Sequence, residues 1–346
     1  RDGLRTSGQI EAFVNRLRAG EARFEDEASE GRSKSLGASL SYGFERSFTE
    51  AERQQLGLLQ LFQGFVDVDA LRLMGEPGEE WSLPEVRGLT REAGIALLDR
   101  AAEAGLLERR GAGYYSIHPA LPWFFKGLFE QYYAESEVQA TRAFVEALGA
   151  LGNYYAAQQQ EGKREVINVL AAEEANLLHA RQLARTHGWW PRVISAMHGL
   201  HTLYRETGRR AEWKGLVQEI VPEFVDPASD GPLPGKEDQW SLVPGYRVEL
   251  AMEERQWAEA ERLQGPRVDW NRERAAAALA GAPESLDAVG RNAIRSLAAT
   301  LVLLGGILRE QGKPECVGSY QEALTLCQRI GDRQSEALAA FHLGHA

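Results

Sequence analysis

The sequence predicts an all-α chain carrying one small β-hairpin. Three observations lead there. Apolar residues recur three and four apart through Arg-, Glu- and Ala-rich stretches from Gln9 to Ala346, the spacing of one buried helix face. Strand-like alternation is almost confined to the residues around 106–118. Glycine punctuates the remaining segments, as it does at helix ends.

Ile10, Phe13, Val14 and Leu17 place a short amphipathic helix at the start. The charged, small-residue run from Glu25 to Ser33 then reads as an exposed linker, so residues 1–33 are expected to be a helical tail and a linker. Residues 34–131 form the next block. Thr49 with Glu52 three residues later is a capping-box signature before a helix that buries Leu56, Leu59 and Phe62. A short helix over 68–74 follows and ends at Gly75-Glu76-Pro77-Gly78. Thr90 caps a third helix carrying Ile95, Leu97, Leu98 and Ala102, which Gly105 closes. Two short strands, 106–110 and 114–118, flank the turn Gly111-Ala112-Gly113. Three helices followed by a hairpin is the winged-helix order.

Residues 132–284 read as a helical sensor or repeat-like region, broken near 226–240 by a loop with three prolines and two glycines in ten residues. Residues 285–346 contain an internal echo. Leu304-Gly305 and Leu343-Gly344 lie 39 residues apart, with Gly312, Tyr320, Ala323, Leu324 and Gly331 between them. A small residue lets two helices touch while Tyr320 and Leu324 fill the layer beneath. This resembles the tetratricopeptide repeat, here cut short at its C-terminal end. Aromatic residues at Trp123, Phe124, Phe125, Phe129, Tyr132 and Tyr133 form a stripe expected to join the winged helix to the helical array.

Composition narrows the function. The net charge of −11 argues against a nucleic-acid binder working through bulk electrostatics. No run of ~18 apolar residues stands out, so no membrane span is expected. Two cysteines, Cys316 and Cys327, suit a reducing cytoplasm and read as packing residues. The chain opens at Arg1 without an initiator methionine and stops within a helical pattern at Ala346, so a piece of a longer protein is expected.

Catalytic motifs are missing from the sequence. The Gly-Lys pairs continue as Arg164, Glu237 and Pro314, where a phosphate-binding loop needs Ser or Thr. His198 and His201 lie three apart with no third ligand nearby, so no metal site and no enzyme are expected. The third helix carries Arg91 and Arg100 against Glu92, Asp99 and Glu103, too acidic for a groove-reading helix. Trp240, Trp257 and Trp270 follow the proline loop and are candidates to line a concave partner-binding face.

The order of parts resembles the C-terminal portion of a signal-transduction ATPase with numerous domains, the STAND class with an NB-ARC or NACHT nucleotide-binding module upstream. The residues that carry the resemblance are Tyr115-Ser116-Ile117-His118-Pro119 at the close of the winged helix and Glu173-Glu174-Ala175-Asn176-Leu177-Leu178 in the helix beyond. The resemblance implies that His118 contacts the β-phosphate of ADP in the full-length protein, although Pro119 stands where the family commonly has an aspartate. It implies no cofactor within this chain and ADP or ATP on the absent module. It further implies a regulatory and ligand-sensing role in the cytoplasm, with the repeats taking a protein or peptide trigger and the winged helix relaying it to the nucleotide module. The alternative is a winged-helix transcription regulator with a repeat-type sensor.

Overall fold

The structure, a computed structural model, describes residue 44 and residues 46–346. The tail and linker expected over residues 1–33 lie outside the described residues. The fold is all-α with one small sheet, and the chain divides into two compact units, one ending at Gly208 and one spanning Arg209–Ala346. The helical region anticipated over 132–284 is thus divided at Gly208, which ends its helix in the left-handed region at φ 71°. The proline loop is instead held in place. Asp226 accepts from the Ala228 amide and the Ser229 hydroxyl, and Asp230 pairs with both Arg247 and Arg262.

In the first unit, α1 (Glu50–Gly57) begins at the expected capping box, with Thr49 and Glu52 exchanging side-chain and backbone bonds. Leu56, Leu59 and Phe62 are buried beneath it. Then come β1 (Phe65–Asp67), α2 (Val68–Leu73), α3 (Arg91–Glu103), β2 (Leu107–Gly111) and β3 (Tyr114–Ile117). The sheet has the order β1-β3-β2, all antiparallel. This is the winged-helix arrangement, with one strand more than the two that the sequence pattern predicts. Three residues are too few for β1 to display alternation. At Gly113, φ is +87° and an added Cβ would lie 2.7 Å from Val68, so the hairpin turn closes over α2 only with glycine there.

The aromatic run forms α4 (Pro122–Tyr133), whose main packing lies within its own block. It packs back on α1 and the turn after it: the Tyr133 hydroxyl donates to the Gln54 carbonyl at 3.0 Å, and Phe124 meets Phe44 edge-on at 5.0 Å. A bundle of α5 (Glu137–Gln160), α6 (Val166–Thr186) and α7 (Trp190–Thr207) makes the joint through other residues.

The second unit is a stack of helices, most of them packing on the next. Its elements are α8 (Arg210–Phe224), α9 (Glu237–Trp240), α10 (Leu242–Glu253), α11 (Trp257–Ala280), α12 (Ala288–Glu310), α13 (Cys316–Ile330) and α14 (Arg333–Leu343). By length and composition α12 is apolar enough to cross a membrane, contrary to the sequence-based expectation. Here that character serves packing, because α12 lies between α11 and α13 and buries Ile294, Leu297, Leu301, Ile307 and Leu308. Cys316 and Cys327 are both buried as free thiols in this stack. The echo around Leu304 has a geometric cause. A Cβ on Gly305 would sit 2.6 Å from the Tyr320 ring, so the two helices touch at that glycine. Gly305→Val is expected to force them apart and cost about 1–3 kcal/mol, read as a lower thermal midpoint.

Candidate ligand groove and the polar joint

The candidate site in the second unit is a groove of about 740 Å³ between α11 and α12. The spacing of α11 builds one wall. Arg267, Asn271 and Arg274 fall three or four apart on one face, with Trp257 and Trp270 beside them. The facing wall is mostly small or apolar: Ser296, Ala299, Thr300, Val302, Leu303 and Gly306, with Arg309 and Glu310 at its end. His342 of α14 also lines the groove and stacks on Tyr320, with ring centres 5.5 Å apart.

Behind the wall runs a buried polar network. Gln264 donates to the Thr300 carbonyl at 2.6 Å and accepts from Arg267 at 2.7 Å. Arg267 Nε donates to the Ser241 carbonyl at 2.8 Å, and Asn271 donates to the Ser241 hydroxyl at 3.3 Å and the Arg267 carbonyl at 2.8 Å. Gln264, Asn271 and Thr300 are each 5% exposed or less. Burial pushes the Arg267 guanidinium down from its usual range to about 10, so it stays charged at neutral pH. Its hydrogen-bond partners, the Ser241 carbonyl and the Gln264 side chain, are neutral, and Glu249 acts on it only through space, offsetting part of the burial.

Of the three tryptophans singled out in the sequence, Trp257 and Trp270 line this groove. Trp240 does not: it is 1% exposed and meets Trp270 edge-on at 5.5 Å, backing the groove from behind. Arg274 sits over the Trp270 ring at 6.0 Å. Sequence reasoning missed Arg267. Its neighbours at three and four positions, Leu263, Gln264, Trp270 and Asn271, include no acid, but that alone does not mark a site.

In the first unit, His118 is exposed at the end of β3, beside a cavity of about 400 Å³ lined also by Gln60, Gln63, Pro119, Pro122 and Phe125. Its Nδ1 accepts from the Ala120 amide at 3.2 Å. That bond fixes the tautomer and leaves Nε2–H as a donor. The orienting role expected of an acid at position 119 thus falls to a backbone amide one residue on. His198 bonds to Asn153 at 2.8 Å, and among the described residues no cluster of three or more metal-type ligands converges.

The helix with Glu173 and Asn176 makes the joint to the winged helix. Asn176 accepts from the Gln63 amide at 2.6 Å and donates to the Phe65 carbonyl at 2.8 Å, clamping the chain as it enters β1. Asn176 also donates to Glu173 at 2.6 Å. Close by, Tyr155 of α5 donates to Asp67 at 2.8 Å, and Phe62 meets Phe144 edge-on at 5.1 Å. Glu173 and Asp67 are each 1% exposed. Burial raises the Glu173 carboxyl to about 8, against the opposing Asn176 bond, and the nearby Asp67 raises it further. Burial likewise raises Asp67, despite bonds from the Asp69 amide and Tyr155.

No protein-family model matches the chain, and no curated protein does. Among solved structures it is similar to a signal transduction ATPase with numerous domains (STAND) protein with a tetratricopeptide repeat sensor from Pyrococcus horikoshii. The identity is 14%, 91% of this chain is covered, and the TM-score is 0.32. The chain spans 50% of that structure's length. The functional reading rests on the residues of the groove and the joint, not on that likeness.

Proposed function

We propose that this chain is the regulatory and ligand-sensing portion of a nucleotide-driven switch of the STAND class. The helical stack takes a protein or peptide trigger, and the winged helix relays its arrival to a nucleotide-binding module. The observation that carries the reading is the groove: about 740 Å³, walled by Trp257 and Trp270, with a desolvated cation whose hydrogen-bond partners are neutral. Aromatic anchors beside a few placed polar groups are the composition of ligand sites. A trigger shifts a switch only by binding one arrangement better than the other, so the groove must differ between the two states.

The winged helix supports the relay role in two ways. Asn176, Tyr155 and Phe144 tie it to the α5–α7 bundle, so the two move as one block. His118 presents Nε2–H at the surface, the donor that a phosphate of ADP would accept in the full-length protein. This chain supplies that one contact, and the rest of a nucleotide site belongs to the other module. Catalysis has no assigned residues here, and the cytoplasm is the proposed location.

The DNA-binding alternative has less support. Arg91 pairs with Asp69 at 3.1 Å, Arg109 with Asp99 at 2.7 Å and Glu103 at 2.8 Å, Arg110 with Glu108 at 3.0 Å, and Arg100 with Glu52. Each would have to leave a carboxylate that then faces the phosphates. A gel shift with random duplex at low salt is expected to show no complex.

Selection of a random peptide library on the immobilised chain tests the sensing role. Ala299 is exposed on the groove wall, so Ala299→Trp fills the groove without opening the core. Selected peptides should bind Ala299→Trp at least about tenfold more weakly, or 1.4 kcal/mol. Peptides indifferent to that substitution would place recognition elsewhere. Calorimetry with ATP should show no tight binding to this chain.

A further inference from the structure

We infer that the groove recognises a ligand bearing a carboxylate next to an apolar or aromatic group, with Arg267 as the seat of the anion. The inference rests on the groove being the ligand site proposed above, and adds the chemistry of what fills it.

The case begins with Arg267. A guanidinium has five N–H donors, and two are used, on the Ser241 carbonyl and the Gln264 side chain. Both acceptors are neutral, so no carboxylate is bonded to the charge, and Glu249 offsets it only through space. Burial of that charge destabilises it enough to draw its pKa down to about 10. Cations on protein surfaces stay in water, and buried ones are ordinarily paired. Elsewhere in this chain even half-exposed arginines are paired: Arg262 with Asp230 and Glu259, Arg295 with Asp332, and Arg272 with Glu322.

The surroundings hold Arg267 in place rather than let it swing out. Its guanidinium lies against Gly245, where an added Cβ would be 2.9 Å from Nη2. Gln264 is fully buried and fixed by the Thr300 carbonyl. The donor fork is therefore presented in one orientation, which is the arrangement that favours a planar carboxylate. Around it, Trp257, Trp270, Val302 and Leu303 offer an apolar lining. One anion beside apolar surface describes an aryl or alkyl carboxylic acid, or the C-terminal residue of a peptide. The volume suits either, since small-molecule sites run to roughly 300–1,000 Å³.

The test uses the chain as it stands with paired probes, each offered as acid and amide: 3-phenylpropionate with 3-phenylpropionamide, and acetyl-Ala-Gly-Ala-Phe with its C-terminal amide. Binding is read by calorimetry and by the fluorescence of the groove tryptophans. At least one acid should bind tenfold or more tightly than its amide, and that preference should shrink as salt is raised. A preference shown by the peptide alone assigns a peptide terminus, and one shown by the aryl acid alone assigns a small organic acid. Arg267→Gln should bring the acid down to the affinity of the amide, whereas Arg267→Lys should keep part of the preference. Thermal melting checks that both variants fold, and the acid–amide comparison on the unaltered chain needs neither. Equal binding of acid and amide would overturn the anion seat while leaving a groove for a neutral trigger. Absence of binding by all four probes would overturn the inference, while peptides selected in the library experiment would still uphold the sensing role.

Discussion

Asn176→Leu is expected to cost the first unit about 2–6 kcal/mol, the largest effect of any single substitution outside the apolar core. The asparagine satisfies the Gln63 amide and the Phe65 carbonyl at once, and it is fully buried. Leucine has a similar volume, so little cavity opens. Two backbone groups would instead stay buried and unpaired, at roughly 1–3 kcal/mol each. The loss should be local. Hydrogen exchange should rise at Gln63 and along β1, whose pairing with β3 starts at Phe65. Exchange in α11 to α13 should stay as it is, because the bonds removed all lie within the first unit. Because the chain has two units, a single unfolding midpoint is a poor readout, and exchange resolved by residue is the measurement to make. Wild-type protection at Gln63 in the variant would mean that the clamp contributes nothing.

Raising the pH from about 5 to 8 is expected to loosen the same joint. Glu173 loses its proton near 4.5 in an unfolded chain and holds it to about 8 in the folded one. Between those values the folded state binds the extra proton, so stability falls as pH rises, by at most about 1.4 kcal/mol per unit for this group, and levels off above 8. Asp67 is shifted in the same direction and adds to the slope. The charges around the pair are few. Asp69 and Asp67 oppose each other, Arg91 offsets them, and Tyr155 and Tyr114 stay neutral because burial raises both. Glu173→Gln keeps an oxygen for Asn176 and removes the titration. It should flatten the decline in stability between pH 5 and 8 and leave the variant more stable than the parent at pH 8. Superimposable pH profiles would mean that Glu173 is not protonated in the fold.

Helix starts were readable in the sequence because they depend on neighbours: Thr49 and Thr90 bond three residues ahead, and both cap as expected. The tyrosine beneath Gly305 was readable for the same reason, since both belong to one helical pair. What the sequence hid is set by distant contacts. β1 exists because β3 lies beside it, and its three residues have no pattern of their own. Asn176 finds partners more than a hundred residues away, so its spacing from Glu173 marks a helix but not what that helix holds. Trp240 and Trp270 look alike in sequence, yet one is core and the other lines the groove, because the short α9 turns Trp240 inward against its neighbour. Arg267 was hidden most completely. An arginine in a charged helix reads as solvated, and only the fold shows that Ser241 and Gln264 hold it in the groove with no acid bonded to it.

The most direct test of the sensing role is hydrogen exchange on the chain with and without a selected peptide. Binding in the groove predicts new protection across residues 264–274 of α11 and 296–309 of α12, absent in Ala299→Trp. Protection confined to residues before Gly208, with those two stretches unchanged, would contradict the assignment of the helical stack as the sensor.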